Sequence, residues 1–297
     1  MVKIPTIKML SGREIPRLGF GTWLMGGGHN GRDPNNDDEG QISSIKFAIE
    51  NGFSFIRTAH NYADGYTEEL TGKAIKGYDR GKLFMVSTAN QKTAIDKKST
   101  IKVAENSLKA LGIDYFDIFE IGAINPNTSV KSILDGLIEL QKRGLTKDIG
   151  IANYRIKELK AAHEYLGKKL VMSEMHYNLV VREPTLAGGE LNYCRENKIV
   201  FCAYRPLQLG QLAKPGIVLL DKIAKKYGKT QSQISLKWLL QKDGVITMTK
   251  AASKKHILED LDVFNWELEK EDYEALENDF PIQIRISDCS EPRVFKF

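Results

Sequence analysis

From residue 17 onward, short apolar runs alternate with longer stretches in which apolar residues recur at helical spacing. The runs RLGFGT (17–22), SFIRT (54–58), LFMVST (83–88), YFDIFEIG (115–122), TKDIGIA (146–152), LVMSEM (170–175), IVFCAY (199–204) and GVITMT (244–249) read as strands. Between them, stretches such as ISSIKFAIENG, TIKVAENSLKALG, SVKSILDGLIELQKRG and SQISLKWLLQKDG read as amphipathic helices, several closing on glycine. Eight strands in strand–helix alternation, with no Pro/Gly/Ser-rich linker, predict one closed parallel barrel rather than a doubly wound sheet. The fold expected is a single (β/α)8 TIM barrel over residues 1–297. Ahead of it, TIKML, SGRE and IPRLGF predict a β-hairpin, and the tail DFPIQIRISDCSEPRVFKF is expected to fold over a barrel mouth.

Composition narrows the partners. The 42% apolar residues suffice for a full core, and the net charge of +5 is spread along the chain, which argues against a nucleic-acid surface. Cys194, Cys202 and Cys289 form no CxxC or Cys/His ligand spacing, so neither disulfide framework nor structural metal is expected, and an intracellular, cytoplasmic setting is. No run approaches 18 apolar residues, and no membrane partner is expected. A small-molecule ligand remains as the partner expected.

In such barrels chemistry sits where strands end at the C-terminal face, here near 22–23, 57–62, 88–90, 120–123, 152–153, 173–176, 204–207 and 247–251. GGGHNG (26–31) matches a dinucleotide fingerprint only literally, since the breaker-rich RDPNNDDEG follows it instead of a helix.

IPRLGFGTW, IRTAHNY with TEELTGKAI behind it, SLKALGIDYFDIFEIG, LTKDIGIANY, CAYRPL and KYGKTQSQISLKWLLQ, in this order, resemble the aldo-keto reductases over roughly 4–275. That resemblance implies carbonyl reduction with NADPH by an Asp, a Tyr, a Lys and a His around one pocket. Tyr donates a proton, Lys held by Asp lowers its pKa, and His orients the carbonyl. Carried over by position, Tyr62 is kept, but Arg57 stands at the Asp position, Thr88 or Ala89 at the Lys position, and Gly122 at the His position. The cofactor positions implied are Asn153, Glu174, Tyr204 and Lys250, with His256 and Asp260 where an Arg and an Asn are usual.

Alternation along DIFEIG puts Ile118, Glu120 and Gly122 on one face; because the resemblance places Gly122 where the family's His points into the pocket, Glu120 is expected to point inward too, with Arg57 as its partner. A buried ion pair in a retired pocket is one reading. The other makes Glu120 a desolvated general base, with Tyr62, Arg57 or Ser173 bonding developing negative charge. The wider pocket expected comprises Trp23, Met25, Thr88, Ala89, Gly122, Ser173, Glu174, His176 and Arg205, and its apolar members could make a flat slot for an aromatic ligand. These residues together lead to an expectation of cofactor-independent, lyase-type proton transfer in a repurposed or engineered pocket. NADP(H) is then no requirement, only a remnant ligand. Two alternatives stay open: a non-catalytic NADP(H) or small-ligand binder, and a residual NADPH-dependent carbonyl oxidoreductase.

Overall fold

The computed structural model describes residues 3–28, 31–90, 92–122 and 129–289, so His29 and Asn30 of GGGHNG, Ala123 and the tail from 290 lie outside it. The chain opens with the expected antiparallel hairpin, β1 (Thr6–Lys8) and β2 (Glu14–Pro16). After β3 (Leu18–Gly21) comes a two-stranded antiparallel pair, β4 (Gly27–Gly28) and β5 (Gly31–Arg32). The remaining strands are β6 (Phe55–Ala59), β7 (Phe84–Ala89), β8 (Phe116–Ile121), β9 (Thr146–Ala152), β10 (Leu170–His176), β11 (Val200–Tyr204) and β12 (Val245–Thr249).

β3 and β6 to β12 close into a parallel barrel in chain order, with β12 pairing β3. Each of the eight overlaps its expected run to within two residues at either end. Helices pack outside, and their ends carry the signals that the sequence offered. Asp96 and Ser99 form a capping box at the start of Lys97–Leu111, and Gly112, at φ 66°, ends it in the left-handed conformation. Thr230 and Gln233 do the same for the start of Gln231–Leu240.

Two apolar cores follow from strand alternation. Outward-facing side chains such as Ile56, Met85, Phe119 and Phe201 pack against the helices, whereas Phe55, Val86, Ile118, Met172, Cys202 and Ile246 fill the barrel. The hairpin closes the N-terminal end of the barrel with Met9 and Ile15, and its Arg13 pairs with Asp117 and Asp148. The tail does cross the opposite mouth. Ile284 exchanges backbone bonds with Val180 and Arg182, Ser287 reaches His176, and Asp288 pairs with Arg205. Among the described residues, no helix is long and apolar enough to cross a membrane.

Candidate active site

Two residues beyond the apolar layer of Phe55, Val86, Ile118 and Met172, the same inward faces carry Arg57, Thr88, Glu120 and Glu174. Arg57 Nη2 lies 2.6 Å from Glu174 Oε1 and Nε lies 3.1 Å from Oε2, a fork facing a carboxylate. Nη2 also donates to Thr88 Oγ1 at 3.1 Å, and Thr88 donates onward to Glu120 Oε2 at 2.8 Å. Nη1 donates to the Tyr62 hydroxyl. The expected Arg57–Glu120 pair is thereby corrected. Glu120 is the register neighbour of Thr88, which stands between it and the guanidinium, while the long Arg57 side chain reaches across the barrel to β10.

Room for Glu120 comes from Gly150, where a Cβ would stand 2.8 Å from Glu120 Cγ and 2.9 Å from Oε1. Glu120 is fully buried, and its Oε1 has no hydrogen-bond partner among the described residues. Burial first, then the charge of Glu174, push its carboxyl well above the usual range, which favours its neutral form. Burial also raises Glu174, but Arg57 opposes that, and of the two carboxyls it is Glu174 that ionises against the fork. Burial alone would lower Arg57; the Glu174 carboxylate facing its fork outweighs that and keeps the guanidinium charged. Tyr62 is raised by burial, with Arg57 pulling the other way, so the phenol is protonated at neutral pH.

Above this layer opens a cleft of about 890 Å³, bordered by Trp23, Arg57, Tyr62, Asn153, Glu174, Tyr204, Arg205 and Lys250 among others. Tyr204 donates to Asn153 Oδ1 at 2.7 Å and stacks on His176 at 5.3 Å between centroids. Around the rim, Leu24, Asn153, Arg205 and Leu209 hold left-handed backbone conformations, as do Ala63 and Asp64 in the turn that presents Tyr62. Such strain in non-glycine residues gathers where a fold holds loops around a ligand.

The other expected pocket residues divide by the direction of their strand positions. Thr88 faces inward and Ala89 outward into the helix-facing core, which makes Thr88 the inward residue at that strand end. Ser173 is adjacent to inward-facing Glu174 and points away, toward Cys194. Met25 belongs to the outer core. Gly122 donates its backbone N–H to Ala89 O at 2.8 Å. His176 is buried beneath Tyr204, bonded to Ser287 at 2.6 Å and to Gln208 at 2.9 Å, and its pKa is lowered by burial. Its ring supports Tyr204 rather than facing the cleft. Arg205 covers the Trp23 ring at 4.8 Å and pairs with Asp288 at 3.2 Å. Asp260, at the far end of the cleft, is nearly buried, and desolvation pushes it up to about 7. Gln208, which fixes His176, carried no signal in the sequence.

A family model described as "Aldo/keto reductase family" matches residues 17–278. Glyoxal reductase of Bacillus subtilis is 30% identical, covering 92% of this chain and 91% of its own length. A thermostable aldo-keto reductase solved with the inhibitor epalrestat superposes with a TM-score of 0.87 at 34% identity, over 92% of this chain and 99% of that one. An aldo-keto reductase from Klebsiella pneumoniae, solved with NADPH, gives a TM-score of 0.83 at 25% identity, over 95% and 96%. The expectation of cofactor-independent lyase chemistry is overturned by these relatives, which are named as reductases and in one case hold NADPH. That expectation weighed the replaced residues above the extent of scaffold retained around them.

Proposed function

Because the chain belongs to the aldo/keto reductase family, we propose that it reduces small carbonyl compounds with NADPH, using Tyr62 as the proton donor. The observation that carries this reading is that Tyr62, Asn153, Tyr204 and Lys250 all border one cleft at the C-terminal ends of the strands. The residues present suit the cofactor. Tyr204, fixed by Asn153 on one side and His176 beneath, offers an immobile aromatic face for the nicotinamide. Lys250 opens on the same cleft with no carboxylate partner among the described residues, a free cation for a phosphate. When bound, the reduced nicotinamide supplies the hydride.

Everything else falls to the chain. Tyr62 stays protonated at neutral pH and so can donate to the carbonyl oxygen as it gains charge. Arg57, Thr88 and Gly122 occupy the positions where the family resemblance expects Asp, Lys and His, so Tyr62 works in altered surroundings. Glu120 lies below Arg57 and Thr88, away from the cleft, and serves as a neutral filler of the layer.

The names of two relatives, the glyoxal reductase of Bacillus subtilis and a methylglyoxal reductase of Escherichia coli, make glyoxal and methylglyoxal the substrates to try first. Titrating NADPH into the protein by fluorescence and then adding methylglyoxal tests the reading. Saturable binding followed by oxidation of NADPH supports it. Binding without oxidation of NADPH by any small aldehyde or dicarbonyl would leave a binding protein and refute it.

A further inference from the structure

Resting on the reductase reading, we propose that the Arg57–Glu174 pair is the device that readies Tyr62 to release its proton. A cation on β6, held by a carboxylate on β10, stands where the resembled family would place a carboxylate on β6 and a cation on β7.

The geometry dictates the direction of the proton. A guanidinium has donors and no acceptor, so in the Arg57–Tyr62 hydrogen bond Tyr62 must accept. The phenolic hydrogen is therefore turned elsewhere, and Tyr62 borders the cleft. As the Tyr62 O–H bond breaks, charge grows on the oxygen that Arg57 already touches, and a charge-assisted bond strengthens with it. The fork against Glu174 and the bond to Thr88 hold the guanidinium in place, so little reorganisation is needed when the charge appears.

The charged and titratable groups facing Tyr62 are Arg57 from β6, Glu120 from β8 and Glu174 from β10. Burial favours the neutral form of Glu120, which leaves Glu174 as the carboxylate that balances Arg57; Arg57 pulls Tyr62 down more than Glu174 pushes it up. In the reaction the carbonyl carbon gains hydride and its oxygen gains the Tyr62 proton. The Tyr62 phenolate then takes a proton from water, so one carbonyl, one NADPH and one proton give one alcohol and one NADP⁺. Arg57 and Glu174 act only through Tyr62 and are positioning residues.

The test is NMR titration of the full chain labelled with ¹³C-tyrosine, the Tyr62 signal being assigned by its loss in Tyr62→Phe. Parent, Arg57→Lys and the double variant Arg57→Met/Glu174→Gln are compared, the double variant removing both charges so that no buried carboxylate is stranded. Expected in the double variant is a Tyr62 titration at least about one pH unit higher than in the parent. Expected alongside is a kcat for methylglyoxal lower by at least ~10²-fold at little changed KM, partly restored in Arg57→Lys. If the double variant does not fold, Arg57→Gln/Glu174→Gln carries the same comparison. Tyr62 titrating at one pH in parent and double variant would overturn the proposal. A parent that binds but never oxidises NADPH would instead remove the reductase reading, with the titration still deciding whether Arg57 governs Tyr62.

Discussion

Replacing Arg57 alone by methionine is the most severe single perturbation that the structure offers, and its cost can be worked through. In the parent, side chains 8% and 3% exposed share two hydrogen bonds between Arg57 and Glu174, and Thr88 and Tyr62 take the remaining contacts named above. Methionine conserves much of the volume but strands Glu174 beside Glu120. Breaking a buried pair in this way costs about 3–5 kcal/mol. The sign with pH follows from protonation. Both carboxyls, without Arg57, have folded pKa values raised above their unfolded ones, so the penalty is smallest below the unfolded values and grows as pH rises through the folded ones. Urea denaturation at pH 5 and pH 8 should therefore show a loss of about 3–5 kcal/mol at the higher pH that shrinks by ~1–2 kcal/mol at the lower. Adding Glu174→Gln should recover more than half of the loss at pH 8. A loss below ~1 kcal/mol at pH 8, or one indifferent to pH, would refute the account of the layer as an ion pair over a neutral acid.

Two further changes probe separate parts of the site. Asp260, raised from 3.8 to about 7 by burial, costs stability as pH rises through that range, up to ~4 kcal/mol at ~1.4 kcal/mol per pH unit. Asp260→Asn should therefore stabilise the protein at pH 8 relative to the parent, and at pH 4 leave it nearly unchanged, as read by thermal melting at both values. Gly150→Ala would bring a methyl to 2.8 Å from Glu120 Cγ and 3.0 Å from Ile118 Cγ2. It should destabilise by ~1–3 kcal/mol in a urea melt, and Glu120→Ala added to it should remove most of that strain.

The barrel was legible because each strand is a short apolar run bounded by turn residues, and because Glu120 and Gly122 follow Ile118 at a spacing of two. The same alternation settles Thr88 against Ala89, and it already forbade Ser173 and Glu174 from sharing a pocket. What could not be read was which inward residues meet across the barrel. β6 and β10 share no edge, so nothing local joins Arg57 to Glu174, whereas the nearer strand made Glu120 the obvious partner. His176 and Met25 were misplaced for a related reason: their neighbours, Ser287 and Gln208 for one and the outer core for the other, come from distant segments. Function was misjudged where chemistry was inferred from three replaced side chains rather than from the cleft that the rest of the chain still builds.

The most direct measurement is a single turnover of methylglyoxal with NADPH deuterated at the transferred position of C4, run for the parent and for Tyr62→Phe. Deuterium on the product's carbinol carbon, with the transfer slowed ~10²- to 10⁴-fold in Tyr62→Phe, is the expected result. Absence of deuterium from the product, or an unchanged rate in Tyr62→Phe, would contradict hydride reduction completed by the Tyr62 proton.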